Sequence, residues 1–342
     1  MSAVAMPVRN RLDVLEVPHS GGTSFADDIA ATLGRNPKRP VPPKYFYDDL
    51  GSALFDAITR LPDYYLTRAE TEILRVWGRQ IIAELKGPLE LLELGSGNAT
   101  KTRLLIDEAL RAQAMLRFNA IEISRDALQA SSIALVDAYP RLLVRAYVGD
   151  YFDVLASGAL RFDARHKVLA LCMGSNIGNY HPEDVQRLLS LLSRTLRPGD
   201  GLLLGTDLKK DAARLERAYD DPGGVMGAFA KNLLTRMNRE LGANFDARDF
   251  DLLARYDEAR GSVDSFLRSR RSHDVTIPHA GMTLHFDEGE LVHTEWSFKF
   301  SVADVAALAG QNGFTLSKTW YDDSHGFAVH LLLREGASAP GG

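Results

Sequence analysis

Residues 89–100 read Leu89-Glu90-Leu91-Leu92-Glu93-Leu94-Gly95-Ser96-Gly97-Asn98-Ala99-Thr100. A short apolar-rich run meets two glycines one residue apart, the pattern of a buried strand that turns sharply into a helix. Gly95 and Gly97 let the backbone turn and bring peptide N–H groups against a ligand. The loop is not a dinucleotide fingerprint, because Thr100 stands where a third glycine is needed. Glu93, one residue before the first glycine, suits a cation near the loop better than a pyrophosphate. The alternative is a tight strand-to-helix turn that holds no ligand.

Outward from this loop, strands and helices alternate. Residues 116–123, 142–148, 167–172 and 202–206 read as strands, and residues 125–139 and 183–196 as helices. This repetition predicts a parallel sheet with helices on both faces. Upstream, Thr67-Arg68-Ala69-Glu70 has the form of a capping box. Ile73, Trp77, Ile81 and Leu85 then recur every four residues as one buried helix face, and Gly87-Pro88 ends the helix. After residue 210 the pattern breaks. Residues 211–270 read as mostly helical and charged, 275–300 as strands, and 302–311 as a helix. Two last strands, 314–321 and 327–333, are joined by the turn Asp322-Asp323-Ser324-His325-Gly326.

A strand-helix core that closes on a hairpin gives a mixed sheet. The expectation is an α/β, Rossmann-like core over 70–210 and 300–342, with a second, α+β lid domain from 1–69 and 211–299 that binds substrate. Gly21-Gly22-Thr23-Ser24 and Gly336-Ala337-Ser338-Ala339-Pro340-Gly341-Gly342 read as loose ends, and residues 35–40 as an extended connector.

Composition narrows the class of function. The 342 residues are 45% hydrophobic and 25% charged, with net charge -5. This is an ordinary globular mix without the basic bias of a nucleic-acid binder. Arg268, Arg270 and Arg271 form the densest basic cluster and read as a solvated face. No apolar run approaches the roughly 18 residues of a membrane span, and the N-terminus has no charged-then-apolar leader. A cytoplasmic monomer acting on a small molecule, with neither nucleic acid nor membrane as partner, is the expectation. Cys172 stands alone and reads as a buried small residue, and the nine histidines lack a compact ligand motif, so no metal is expected.

Acids at successive strand ends outline a nucleoside site. Glu122 closes the second strand, where a carboxylate can take both ribose hydroxyls, and Asp150 follows the third, able to accept from an adenine amine while Tyr151 covers the ring. Lys101, one turn into the helix, can anchor a methionine carboxylate. A solvated acid or lysine is the plainer alternative for each. With Glu93 near the loop, the set suits the sulfonium and amino groups of S-adenosylmethionine.

Two further stretches are distinctive: Tyr45-Phe46-Tyr47-Asp48-Asp49-Leu50-Gly51-Ser52-Ala53-Leu54-Phe55-Asp56, and Leu61-Pro62-Asp63-Tyr64-Tyr65-Leu66-Thr67-Arg68-Ala69-Glu70. With Gly174-Ser175-Asn176-Ile177-Gly178-Asn179, Asp207-Leu208-Lys209-Lys210, Ala218-Tyr219-Asp220-Asp221 and Thr294-Glu295-Trp296-Ser297, the chain resembles the histidine N-alpha-methyltransferases of ergothioneine biosynthesis over about residues 25–335. The resemblance implies a class I methyltransferase fold and trimethylation of the histidine α-amine to hercynine. It implies that Gly95, Lys101, Glu122, Asp150, Tyr151 and Gly174 hold S-adenosylmethionine. Tyr64, Asn179, Tyr219, Glu295 and Ser297 would hold the amino acid. Tyr47 and Asn179 would be the catalytic residues, Tyr47 facing the amine to orient or deprotonate it.

Those roles make chemical sense. Glu295 and Ser297, two apart in a strand, share one face while Trp296 takes the other, and together they can bind both imidazole nitrogens. Asn179 and Tyr219 offer an amide and a phenol to carboxylate and amine. Asn179 as a helix cap, Glu295 as a strand-surface acid, and Tyr47, Tyr64 and Tyr219 as half-buried core residues are the alternatives. One departure concerns the substrate: Ser265 stands where the family has an apolar methionine beside the imidazole, and relatives act on tryptophan derivatives. A same-fold methyltransferase acting on tryptophan or another amino acid is therefore the second reading, and a nicotinamide oxidoreductase the third.

Overall fold

The structure, a computed structural model, describes residues 11–18, 24–35 and 41–336. Most of both glycine-rich ends and of the 35–40 connector lies outside the described residues. The chain begins with β1 (Leu12–Glu16), α1 (Phe25–Thr32), α2 (Asp49–Ile58) and α3 (Leu66–Glu84). An alternating stretch follows: β2 (Leu89–Leu94), α4 (Thr102–Ala112), β3 (Leu116–Glu122), α5 (Arg125–Ala138), β4 (Leu142–Val148), α6 (Tyr151–Ser157), β5 (Lys167–Cys172), α7 (Pro182–Thr195) and β6 (Gly201–Asp207). Then come α8 (Ala212–Tyr219), α9 (Val225–Leu241), β7 (Phe250–Asp257), β8 (Ser262–Ser269), β9 (His273–Ile277), β10 (Met282–Phe286) and β11 (Leu291–Phe298). The chain returns through α10 (Val302–Gln311), β12 (Phe314–Tyr321) and β13 (Phe327–Arg334).

The main sheet has eight strands in the order β1-β4-β3-β2-β5-β6-β13-β12. The first six are parallel, and β13 and β12 close it in antiparallel fashion, the mixed sheet expected. Every residue of β2 is buried, as a central strand covered on both faces requires. Leu91 enters the apolar layer on one face, and Leu92 and Leu94 the layer on the other. Glu90 is buried in this strand because Arg117 Nη1 donates to it at 2.5 Å and the Asp163 N–H at 3.0 Å.

The order in which strands are added reverses at β2: β3 and β4 lie to one side, β5 and β6 to the other. The crevice at the carboxyl ends of β2 and β5 is thus the switch point where such sheets bind ligands. Beside it, Tyr219 of α8, Met226 and Phe229 of α9, and Glu295 and Ser297 of β11 share a pocket with Gly174, the second residue after β5, while the β9-β10 pair packs against α9.

Four sequence expectations are corrected. Residues 250–269, read as helical, are β7 and β8. Their alternation is hidden because Ser262, Asp264, Ser265 and Ser269 occupy buried strand positions where apolar residues usually stand. Leu12–Glu16, assigned to the lid, pairs in parallel with β4 at the edge of the main sheet. Thr67 does not cap α3, whose N-cap is Tyr65 without a side-chain cap bond; Glu70 is turned inward instead. Ile73, Ile81 and Leu85 are buried, but Trp77 lies over a surface hollow between α3 and β12 and is 40% exposed. Cys172 is buried, as read.

Candidate active site

The turn after β2 is held by its neighbour strand. The Ile121 carbonyl accepts from the N–H groups of Gly95 and Ser96 at 2.9 and 3.0 Å. Gly95 and Gly97 have φ of +68° and +48°, the left-handed region that favours glycine. A Cβ at Gly97 would meet nothing within 4 Å, so the loop borders open space. Glu122 closes the other side: one oxygen accepts from Gly97 N–H at 2.9 Å, the other from Ile123 and Ser124 N–H at 2.9 and 3.2 Å. These bonds leave it fewer acceptor sites than the free bidentate carboxylate expected for a ribose. Asp150 caps α6, accepting from Phe152 N–H at 2.8 Å, and the Tyr151 ring stacks on Phe152 while its hydroxyl pairs with that of Tyr180.

Two charged residues behave differently from expectation. Glu93 does not face the loop: Thr102 Oγ1 donates to both its oxygens at 2.6 and 2.7 Å, and burial pushes its carboxyl up to about 8. Lys101 does not stand free: its ammonium pairs with Glu70, which is fully buried and accepts the Gly174 N–H at 2.8 and 2.9 Å. Glu70 fits there because Gly205 has no side chain; a Cβ would stand 2.0 Å from Glu70 Oε1. Lys101 thereby has its cation 3.5 Å from where a Cβ on Gly174 would be.

Gly174 also borders the second pocket. This one is lined by Tyr47, Tyr64, Asn179, Tyr219, Glu295 and Ser297, so the structure brings together all the residues expected to hold an amino acid. Gly95, Lys101, Glu122, Asp150 and Tyr151 lie outside that lining, and Gly174 is the expected cofactor residue common to both sides. The enclosed space is about 20 Å³ and the walls close on one another, so an amino acid enters only as they part. Three more aromatics than expected stand in or beside it: Phe55 and Phe229, whose rings lie 5.6 and 5.7 Å from Tyr47, and Tyr180. Tyr64 meets Tyr219 edge-on at 6.3 Å.

Strand alternation places the polar groups. Glu295 and Ser297 of β11 face the pocket, while Trp296, on the other face, packs on His181 and donates from Nε1 to the Asn179 carbonyl at 3.1 Å. Ser265 of β8 is directly opposite Glu295 and buried. Tyr219, the last residue of α8, hydrogen-bonds Ser297 Oγ at 2.7 Å. Beneath them the buried Lys299 ammonium donates to Tyr219 at 2.8 Å and to Ser297 at 2.9 Å, and forms an ion pair with Asp207 at 2.9 Å. Tyr65 donates to the same Asp207 at 2.8 Å, and Lys210 donates to the Tyr65 hydroxyl at 2.7 Å.

Burial governs the protonation of these groups. It pushes the phenols of Tyr47, Tyr64 and Tyr219 well above their ordinary range. Tyr47 is therefore a neutral phenol near pH 7, suited to orient an amine and not to deprotonate it as a phenolate. Burial lifts the Glu295 carboxyl to about 7, against the pull of Lys299.

Glu70, Lys299, Phe55 and Phe229 were not picked out from sequence. Lys299 had a readable signal, since it continues the 295, 297 alternation; Glu70 had none, because its partners lie 31 and 104 residues away.

A glycine-cradled crevice at the switch point of a mixed sheet, joined at Gly174 to an aromatic pocket with a carboxylate, defines a class I methyltransferase. The chain belongs to the family of S-adenosylmethionine-dependent, histidine-specific methyltransferases, whose model matches residues 25–334. It is 40% identical over 315 residues to the histidine N-alpha-methyltransferase of Mycolicibacterium smegmatis, covering 92% of this chain and 96% of the relative. It is 39% identical to that of Mycobacterium tuberculosis, with the same coverages. The L-tryptophan methyltransferase of Psilocybe serbica is more distant, 25% identical over 322 residues, 86% of this chain and 88% of the relative. The protein is thus a methyltransferase of small molecules that uses S-adenosylmethionine, and the nicotinamide reading falls. Among the described residues no helix is long and apolar enough to cross a membrane.

Proposed function

We propose that this enzyme methylates the α-amine of L-histidine three times to give hercynine, the first step of ergothioneine biosynthesis. The observation that carries the reading is that Glu295 and Ser297 share a strand face in one pocket with Asn179, Tyr64 and Tyr219, bounded by Gly174. Glu295 accepts one imidazole N–H and Ser297 meets the other ring nitrogen, while Asn179, Tyr64 and Tyr219 hold the carboxylate and amine. Lys101, Glu122, Asp150 and Tyr151 hold the cofactor around the Gly95 turn.

S-adenosylmethionine supplies an activated methyl on a sulfonium, so the protein's task is alignment and exclusion of water. The pocket's tight walls do the latter. Tyr47 orients the amine, and the fraction that is neutral attacks, with water as proton acceptor. Each transfer forms an N–C bond, breaks the S–C bond, and must release one N–H proton before the next. After three methyls no N–H remains and the reaction stops. The faces of Tyr47, Tyr64 and Phe55 tolerate the quaternary ammonium product through cation–π contact.

Tryptophan remains the second reading because Ser265, paired with Glu295 across the strands, is smaller than the family's methionine. Mass spectrometry of histidine or tryptophan incubated with enzyme and S-adenosylmethionine decides. Histidine gaining one, two and three methyls is the expected result, and methyls on tryptophan alone would overturn it. A complete site within one chain supports a monomer, and a free amino acid as substrate supports the cytoplasm. Sedimentation of the pure enzyme tests the former, cell fractionation the latter.

A further inference from the structure

The Lys299 ammonium is fully buried; it donates to Tyr219 Oη and Ser297 Oγ and forms an ion pair with Asp207 Oδ2. An ammonium donates and never accepts. Both hydroxyl oxygens thus accept from Lys299, and the 2.7 Å contact between them takes up one of their two protons. One O–H proton remains for a ligand. If Tyr219 donates to Ser297, the remaining proton is on Ser297, ready for an unprotonated ring nitrogen. If Ser297 donates to Tyr219, it is on Tyr219, ready for a carboxylate.

We propose that Lys299 is a positioning residue for the acceptor: it fixes the hydroxyl directions of Tyr219 and Ser297 and supplies the cation that balances Glu295. The proposal deepens the histidine reading and rests on it. Lys299 does not line the pocket itself; it acts through the two hydroxyls and through its charge. Glu295 faces Tyr47 and Tyr64 from the segments before and after α2 and Tyr219 from α8, all phenols kept neutral by burial, and Lys299 from just beyond the end of its own strand. Lys299 in turn faces Asp207 of β6, which also pairs with Lys210 and Tyr65. It is therefore the cation that pulls Glu295 toward its ionised form, the form that accepts an imidazole N–H. Without it Glu295 is ionised only at higher pH, and the two hydroxyls lose their common donor.

The test is Lys299→Met, which keeps the length of the side chain and removes donors and charge. The expected result is a KM for histidine raised about 10- to 100-fold, the range for losing a charged hydrogen bond. Affinity for S-adenosylmethionine stays at the wild-type value, and the acidic limb of histidine kcat/KM moves to higher pH. A packing role alone would not move that limb. Should Asp207, left with less counter-charge, unfold the single variant, Lys299→Met with Asp207→Asn removes both charges and is read the same way. An unchanged histidine KM and an unmoved limb in a folded variant overturn the proposal. If the wild-type enzyme neither binds nor methylates histidine, the substrate reading itself fails; if it does so and Glu295→Gln impairs it, only the Lys299 role is in question.

Discussion

Replacing Glu295 with Gln should make the substrate-free enzyme more stable, by a margin that grows as pH rises from about 4.5 to about 7 and is full above that. Burial lifts this carboxyl from the ordinary 4.5 to about 7, with Lys299 opposing the lift. A raised carboxylate pKa means that the folded state holds a proton the unfolded chain releases at lower pH. The native state therefore has no penalty from Glu295 below about pH 4.5, acquires it progressively as pH rises to 7, and carries it fully above. At about 1.4 kcal/mol per pKa unit the full penalty is about 3 to 4 kcal/mol, equivalent to about 5 °C in Tm for a chain this long. Glutamine occupies nearly the same volume without the charge. Thermal unfolding of both proteins from pH 5 to pH 8.5, without substrate, should show a gap near zero at the acid end that widens to a few degrees. Histidine at saturating concentration should reverse the order at pH 8, because it stabilises the wild type far more than the variant. A gap independent of pH, or a less stable variant at pH 8 without histidine, would refute the assignment of a strained carboxylate.

Three other predictions are independent of it. Gly205→Ala should destabilise the fold by roughly 1–3 kcal/mol, the usual penalty of overpacking, and weaken S-adenosylmethionine binding, because its Cβ collides with Glu70 at 2.0 Å and pushes it off Gly174 and Lys101; calorimetry measures both. Tyr47→Phe should lower kcat/KM for histidine without removing any limb from the pH–rate profile, since the phenol is never ionised in the working range; loss of a limb in initial-rate measurements would restore Tyr47 as a base. Cys172, buried and with its thiol pushed up to about 12, should resist a thiol reagent at pH 8 until the protein is unfolded.

The parts of the fold legible in the sequence are those where burial follows residue type. β2 to β6 are apolar runs bounded by turn residues, and Gly95 and Gly97 mark the bend between β2 and α4 because no other residue turns there without strain. β8 was not legible, because Ser262 and Asp264 are inside through hydrogen bonding to each other, which a hydrophobic pattern does not record. β1 escaped for the opposite reason: it is a short edge strand whose side chains are mostly exposed. In the site, residues with recognisable chemistry at one strand spacing, Glu295 and Ser297, were found. Glu70 and Asp207 were not, since a buried charge is understood only from partners far along the chain.

The first turns of α3 reach both halves of the site. Tyr64 and Tyr65 stand just before the helix, one lining the acceptor pocket and one bonded to Asp207, and Glu70 follows within two turns, clasping Gly174 and Lys101. A rigid rod gripped at two places transmits displacement from one to the other. Whatever factor the methyl donor changes in histidine's dissociation constant, histidine must return in the donor's own, by the symmetry of a thermodynamic cycle. That equality holds whichever partner loads first, and the residues that touch both halves lie in a stretch of seven.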